Sequence, residues 1–412
     1  MSIIKDGALK PSGMKKIEWV KSYMPVLGLI GERFEKEKPF AGKTVAMSIH
    51  LEAKTAFLAL TLQRGGARVY ATGCNPLSTQ DDVAAALSSL GVETFAVHGV
   101  SEGEYTEHLT RTLECRPDII IDDGGDLVSI LHGERPDLAV NIIGGCEETT
   151  TGIERLRARA SAGKLMFPMF AVNNAKCKHL FDNRHGTGQS SWDAIMNTTN
   201  CLIAGKNVVV AGYGYVGRGV ALRARGLGAN VIVCEVDPFA ALEAYADGYR
   251  VMTMDEASAA GDIFVTATGC RGVITKRHFE NMHSGVLLAN AGHFDVEIDK
   301  KDLEEISISA SERKPNIVGY ETADGRVLNL LADGRLVNLA AGNGHPAEIM
   351  DLSFAVQALT CEHIAKLKEK LPNGLYDVPS DIDRKIAEQK LSSNGITIDT
   401  LTPEQEEYLK SW

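Results

Sequence analysis

The chain has 412 residues, 44% hydrophobic and 24% charged, which is enough for two or three globular domains. Its 43 Lys and Arg against 54 Asp and Glu leave a net charge of -11, which excludes the basic footprint of a general nucleic-acid binder. No apolar run approaches the ~18 residues of a membrane-spanning helix. The opening segment MSIIKDGALKPSG lacks the apolar stretch of a signal peptide, and the eight cysteines are scattered without a CxxC. A cytoplasmic enzyme with neither a disulfide framework nor a bound metal is the expectation.

Residues 14–37 read as one helix ending before Pro39. Alternation follows. KTVAMSI (43–49), ARVYAT (67–72), ETFAV (93–97) and DIIID (118–122) have the look of short buried strands, with helical patterns between them. Strands alternating with helices imply a parallel sheet covered on both faces, whose ligands bind at the carboxyl ends of the strands. Polar residues cluster at those ends: His50, Asn75, and Asp122 to Asp126. A polar, glycine-rich stretch at 183–192 reads as a hinge. A second series starts near 206 with KNVVVAGYG (206–214), NVIVCEVD (230–237), DIFVTATG (262–269), GVLLANAG (285–292) and RLVNLAAG (335–342). GHPAEIMDLSFAVQALTCEHI (344–364) reads as a long helix, followed by a tail with a proline near each end and helical pattern between.

Gly212, Gly214 and Gly217 form a GxGxxG sequence that follows the strand VVVA and opens a helix, with Tyr215 and Val216 between the last two. The first glycine allows the tight turn, the second lets the backbone approach a pyrophosphate, and the third allows close helix–strand packing. The helix amino end supplies unpaired N–H groups to the phosphates. Glu235 ends the next strand, where a carboxylate accepts from a ribose 2′-OH and repels a 2′-phosphate, so NAD is favoured over NADP.

Five polar segments remain: His50-Leu-Glu52-Ala-Lys54-Thr55, Asn75 to Asp82, DDGGD (122–126), EETTTG (147–152), and Lys178 to Asn183. Singly, each reads equally well as a solvated loop or a helix cap. Together, most of them near strand ends, they point to one polar site.

These segments, with CNPLSTQDD, IDDGGDL, FDN, IAGKNVVVAGYG, AGHFDVEID, and GRLVNL with GHP, resemble the S-adenosyl-L-homocysteine hydrolase family over nearly the whole chain. The resemblance implies two doubly wound parallel-sheet domains of Rossmann type, the NAD domain inserted into the substrate domain, with a small C-terminal helical segment. The implied boundaries are 1–184 and 347–375 for substrate, 185–346 for NAD, and 376–412 for a tail. It implies a small nucleosyl thioether as substrate, no nucleic acid or membrane partner, and a homotetramer. The reaction it implies oxidises the nucleoside 3′-OH with tightly bound NAD, which acidifies C4′–H. Homocysteine then leaves by elimination, water adds, and the hydride is returned.

By that resemblance Lys178 and Asp182 serve the 3′-hydroxyl, with Lys178 a base if its surroundings lower its pKa, and Glu148 fixes the sugar. Asp126 handles the C4′ proton, His50 the leaving group and water, and His293 sits near the sugar. Thr149, Thr150, Thr151, Asn183 and Asn338 lie on the nicotinamide side. Thr268, Ala291 and Gly292 complete the cofactor site. His345 lies at the cleft mouth beside the base, with Met350 and Phe354 also on the substrate. Four departures stand out. Thr187 replaces a common cysteine, and Ala240 replaces an asparagine. The chain ends at Trp412 without the usual Lys- and Tyr-containing tail, which implies looser NAD. Glu52 and Lys54 replace Thr and Gln beside the base.

An ionised Glu is acceptor-only and a Lys donor-only, so the pair commits the pocket to one base edge. Lys54 at position 6 with Glu52 at position 1 suits hypoxanthine, the reverse suits adenine, and spacing does not decide. HLEAKTA resembles the archaeal branch acting on S-inosyl-L-homocysteine, which tips the expectation towards inosyl with adenosyl close behind. An NAD-dependent hydroxy-acid dehydrogenase is the alternative enzyme, and an NAD-sensing module the non-enzymatic one. The DDGGD, EETTTG and Lys178/Asp182 groups disfavour both.

Overall fold

A computed structural model describes residues 2–412. In chain order its strands are β1 (Thr44–Ser48), β2 (Arg68–Thr72), β3 (Glu93–Phe95), β4 (Ile119–Asp122), β5 (Gly144–Glu147), β6 (Met169–Ala171) and β7 (Asn207–Ala211). There follow β8 (Asn230–Cys234), β9 (Arg250–Val251), β10 (Ile263–Thr266), β11 (Leu287–Asn290), β12 (Ser307–Lys314), β13 (Ile317–Thr322), β14 (Val327–Leu331) and β15 (Leu375–Asp377). They build two sheets, ordered β15-β6-β5-β4-β1-β2-β3 and β12-β13-β14-β11-β10-β7-β8-β9.

The first sheet is parallel throughout. Its central strands are buried on both faces, which is why TVAMS and IIID are nearly continuous apolar runs. The chain leaves β1 towards β2 and β3 on one side and returns to β4, β5 and β6 on the other. The switch point therefore lies between β1 and β4, whose last residues Ser48 and Asp122 are in register. In the second sheet the corresponding gap lies between β7 and β10, with Ala211 opposite Thr266. Ligand sites of such sheets form at these two gaps.

Four expected elements differ. The helix expected over 14–37 is two, Lys10–Lys21 and Pro25–Glu37. Pro25 takes the first helical position and keeps Met24 out of helical geometry (φ -122°, ψ 62°). The expected hinge at 183–192 is helical: His179–Gly186 winds as a π-helix and runs straight into the helix Thr187–Thr199. RLVNLAAG is not a strand. Only Leu336 bridges Asn290, and Val337–Ala340 is a short helix. The strand beside β11 is instead β14, extended by the antiparallel β12 and β13, so the second sheet is mixed.

The long helix Ala347–Lys366 is buried on nearly every side and crosses back under the first sheet. β15 pairs with β6, and Ile386 of the helix Ser380–Ser393 is fully buried in the same core. Lys390 of that helix reaches Asp351 at 2.8 Å. Residues 375–393 thus pack as part of the first domain. Among the described residues, no helix is long and apolar enough to cross a membrane.

Candidate active site

The loops after β1, β4 and β5 meet those after β7, β10 and β11 around one cavity of about 610 Å³. His50 follows β1, and Asp123 follows β4. Glu148 follows β5, and Lys178 ends the turn Lys176–Lys178 beyond β6. The order of strands in the sheet makes these four neighbours although they are far apart in sequence.

At the first corner, the Lys178 ammonium lies 3.0 Å from Asp182, 2.8 Å from the Asn183 side-chain oxygen Oδ1 and 3.7 Å from Glu148. The π-helical turn explains the double contact, since i→i+5 winding stacks residue 183 over 178 while 182 stays within reach. Burial opposes the Lys178 charge, but Asp182 and Glu148 outweigh it and hold its pKa above the usual lysine range. The lowered pKa expected of Lys178 is therefore absent from this arrangement. Burial also opposes ionisation of Asp182, yet Lys178 and His345 hold its carboxyl below the ordinary range. Ser353 donates to it at 2.7 Å. Glu148 behaves oppositely: burial, only partly countered by Lys178, pushes it up to about 8. Burial thus favours its protonated form. Gln357 donates to its Oε2 at 2.5 Å, and its Oε1, the oxygen 3.7 Å from Lys178, has no hydrogen-bond partner.

At the second corner, His50 Nδ1 lies 2.7 Å from Ser78 Oγ, and the Ser78 hydroxyl donates to the Asn75 carbonyl at 3.0 Å. With the Ser78 proton given to Asn75, the tautomer that matches this pairing has His50 Nδ1 donating to Ser78 Oγ and leaves Nε2 free to accept. Burial lowers the His50 pKa to about 4 although Asp123 works to raise it, and the ring is neutral at pH 7. Nε2 faces Asp123 Oδ2 at 3.6 Å, and His293 Nδ1 approaches Asp123 Oδ1 to 4.0 Å. The Cys74 thiol donates to Asp123 at 3.4 Å.

The five acidic groups of DDGGD and EE divide by position. Asp122 accepts from the backbone N–H of Asp123 and Val128, and Glu147 from those of Gly124 and Thr149. Both lie beneath the loops, and burial raises both, Asp122 to about 7. They hold the loops. Asp123 and Glu148 face the cavity. Asp126, expected at C4′, lies outside the lining. It opens the helix Asp126–His132, where Tyr105 donates to it at 2.9 Å and Arg155 lies 3.5 Å away. The aspartate facing the cavity is Asp123.

At the third corner, Glu52 caps the helix Ala53–Arg64, and its Oε2 accepts from Lys54 N at 3.0 Å and Lys54 Nζ at 2.9 Å. Lys54 also donates to the Asn343 carbonyl at 3.1 Å. Both side chains are buried and line the cavity near His345, Met350 and Phe354. Thr187, the residue in place of a cysteine, meets His345 Nε2 at 3.0 Å, and His345 Nδ1 lies 3.3 Å from Asp182.

Thr149, Thr150, Thr151, Gly214, Tyr215, Val216, Thr268, Ala291 and Gly292 complete the lining, together with Asn183 and His293 of the first two corners. Gly212, Gly217, Glu235 and Asn338 lie outside it. Gly217 packs so tightly that a Cβ would come within 1.9 Å of the Gly212 carbonyl, whereas a Cβ on Gly214 would meet nothing within 4 Å. That open flank is the space a pyrophosphate needs. Thr151 Oγ1, in the lining, is buried without a hydrogen-bond partner, as a group awaiting a polar ligand would be, and Asn338 Oδ1, outside the lining, is also unpaired. Glu235 turns onto the glycine loop, accepting from the N–H of Tyr213 at 2.6 Å. Glu297 braces the facing loop by accepting from Thr268 and Gly269. These residues fit a bound dinucleotide.

Sequence reasoning missed Asp123, Cys74, Arg155 and Phe294. Asp123 had a signal: it directly follows the strand, whereas Asp126 precedes the apolar pattern LVSIL and so reads as a helix-opening acid. Arg155 and Phe294, whose guanidinium and ring lie 4.6 Å apart across the cleft, had none.

Comparison with known proteins agrees with this layout. The pattern described as "S-adenosyl-L-homocysteine hydrolase" matches residues 2–141, and that described as "S-adenosyl-L-homocysteine hydrolase, NAD binding domain" matches residues 183–344. The S-inosyl-L-homocysteine hydrolase of Methanopyrus kandleri is 58% identical over 99% of this chain and 97% of its own. The chain belongs to the S-adenosyl-L-homocysteine hydrolase family. The adenosylhomocysteinase of Pyrococcus abyssi is also 58% identical, over 99% of this chain and 97% of its own. The S-inosyl-L-homocysteine hydrolase of Methanococcus maripaludis is 56% identical over 100% and 99%. The second domain is the family's NAD-binding domain, and NAD is its cofactor.

Proposed function

We propose that this chain catalyses the reversible hydrolysis of an S-nucleosyl-L-homocysteine, with S-inosyl-L-homocysteine preferred, to the nucleoside and L-homocysteine. One observation carries the reading: the Lys178, Asp182 and Glu148 cluster faces the Gly214 loop across a single cavity, so a sugar and a dinucleotide share it. NAD bound there supplies a reversible hydride acceptor for the sugar 3′-carbon, which makes C4′–H acidic and leaves no net redox change.

The residues divide the remaining work. Lys178 and Asp182 hold the 3′-hydroxyl. Neutral Glu148 donates to the neighbouring sugar oxygen while Gln357 fixes its other oxygen. Lys178 rests as an ammonium and must shed its proton before it takes the one on the 3′-OH, so oxidation quickens as pH rises. Asp123 takes the C4′ proton. His50 Nε2, bare and 3.6 Å away, relays it to the departing sulfur, and on the return it takes a proton from the attacking water.

The Glu52/Lys54 pair sets the base. Hypoxanthine offers an acceptor at O6 to Lys54 and a donor at N1–H to Glu52, whose two contacts with Lys54 both fall on Oε2. The methanogen relatives named S-inosyl-L-homocysteine hydrolases support this choice, and the Pyrococcus relative keeps adenosyl as the second reading. The test competes the two thioethers. A mismatched edge leaves buried polar groups unpaired and can cost up to ~10⁴-fold, and Glu52→Thr with Lys54→Gln should move preference towards adenosyl. A clear kcat/KM excess for adenosyl in the wild type reverses the assignment. Stoichiometric NADH release would replace the hydrolase by a dehydrogenase.

A homotetramer is supported by apolar side chains left facing solvent, among them Phe239, Leu242 and Tyr245 beside the glycine-loop domain and Tyr408 and Leu409 in the tail helix. Eight free cysteines support a cytoplasmic setting.

A further inference from the structure

The substrate's second half has no assigned partner. Given the reading above, on which this inference rests, the Lys178 corner takes the sugar hydroxyls, and His50 with Asp123 takes the C5′ end. The homocysteine chain must therefore run outward past Asp123, carrying a carboxylate on the third carbon beyond sulfur. The wall there is made by His293, Phe294 and Arg155, with Gly124 packed against His293.

We propose that Arg155 recognises the α-carboxylate of homocysteine. Lysine and arginine side chains enter the cavity lining at three positions: Lys54, Arg155 and Lys178. Lys54 is committed to Glu52 and the Asn343 carbonyl, and Lys178 to Asp182 and Asn183. Arg155 donates one N–H to the Gly124 carbonyl at 2.8 Å and lies 3.5 Å from Asp126. A guanidinium has five N–H donors in a planar fork, so an edge remains for a carboxylate. Its plane is already set, because it stacks 4.6 Å from the centre of the Phe294 ring. The same cavity is lined by Glu52, Asp123, Glu148, Glu154 and Asp182, so an anionic ligand group has few other places to rest.

The experiment runs the reaction in the synthetic direction with the full-length holoenzyme, using inosine and one of two thiols. L-Homocysteine carries the carboxylate. 3-Aminopropane-1-thiol keeps the thiol and the amine and lacks it. The wild type should favour homocysteine in kcat/KM by about 10- to 100-fold, the range for a charge-assisted contact. Arg155→Ala should reduce that ratio to within about threefold of unity through the KM for homocysteine. Arg155→Lys, a point charge without the fork, should recover part of it. If Arg155 only pinned Phe294, both thiols would suffer alike and the ratio would hold at the wild-type value. That result overturns the proposal, as does a wild type that uses both thiols equally. A wild type that oxidises inosine but joins neither thiol sinks the hydrolase reading and this inference with it.

Discussion

Asp123→Asn separates the two aspartates of the DDGGD loop. The change keeps the shape of the side chain but removes the base for C4′–H. Loss of a positioned base costs roughly 10²–10⁴-fold. A second effect adds to it. Asp123 lies 3.6 Å from His50 Nε2 and works to raise a histidine pKa that burial has already lowered to about 4. Two full charges at that distance and an effective dielectric near 20 attract by about 4–5 kcal/mol, an upper bound on what the imidazolium loses. The relay is therefore harmed at both ends, and turnover should fall towards the ~10⁴-fold end of that range. Oxidation of the 3′-OH, which needs neither group, should persist, so reduced nicotinamide accumulates in single-turnover absorbance while thioether cleavage stalls. Asp126→Asn disturbs only a contact to Tyr105 and a partly exposed pair with Arg155, worth ~0–1 kcal/mol, so hydrolysis should stay within about fivefold. An Asp126 variant as damaged as the Asp123 one, or an Asp123 variant that turns over within tenfold of wild type, would refute the assignment.

Two further outcomes follow from the Lys178 corner. Lys178→Ala should slow 3′-oxidation by ~10²–10⁴-fold with NAD binding, read by fluorescence, largely kept. Added methylamine should restore part of the rate to that variant, while Lys178→Arg, which cannot shed its proton, stays inactive; a wild-type oxidation rate that falls as pH rises would remove Lys178 as the base. Glu148 is raised from 4.5 to about 8, so the folded chain keeps a proton that the unfolded chain has lost across that window. Its contribution to stability is full below pH 4.5 and declines by on the order of 1.4 kcal/mol per pH unit up to about 8. The unfolding free energy of Glu148→Gln minus that of the wild type, from urea titrations, should climb with pH over this range, and parallel curves would contradict it.

Much of the fold is legible because the central strands are buried on both faces. TVAMS, IIID, NVVVA and IFVT read as apolar runs, and alternating helices identify a wound sheet. The misses have separate physical causes. Ser307–Lys314 is exposed along most of its length and carries SISASERK, so no burial pattern marks it, and the antiparallel edge it builds is invisible to periodicity. RLVNL has the apolar content of a strand, but the neighbouring edge of β11 is taken by β14, and Val337–Ala340 turns into a helix. The glycines at 186 and 188 suggest a loop, yet there they sit inside packed helices: Ser190 returns a hydrogen bond to the Gly186 carbonyl at 2.7 Å, and Gly188 lies against the backbone of Gly219.

The same division governs the site. What a motif specifies locally is readable: the glycine turn after VVVA, the acid after β8, and the lysine and aspartate four apart. What depends on the direction of a side chain after a strand ends is harder, because a single turn decides it. After Asp122 the chain passes Gly124 at φ 99° and Gly125 at φ 83°, which carries Asp126 away to open a helix and leaves Asp123 at the sheet edge. Period-2 alternation stops at the strand end and cannot rank three aspartates beyond it. The charge states are harder still. Neighbouring Glu147 and Glu148 both lie in a buried environment that raises them, yet one accepts two backbone N–H groups beneath the loop while the other lies in the cavity lining with its Oε1 3.7 Å from Lys178. Only the sheet order, which sets Lys178 beside Glu148 and Asp182, distinguishes the carboxyl that stays protonated from the one that stays charged.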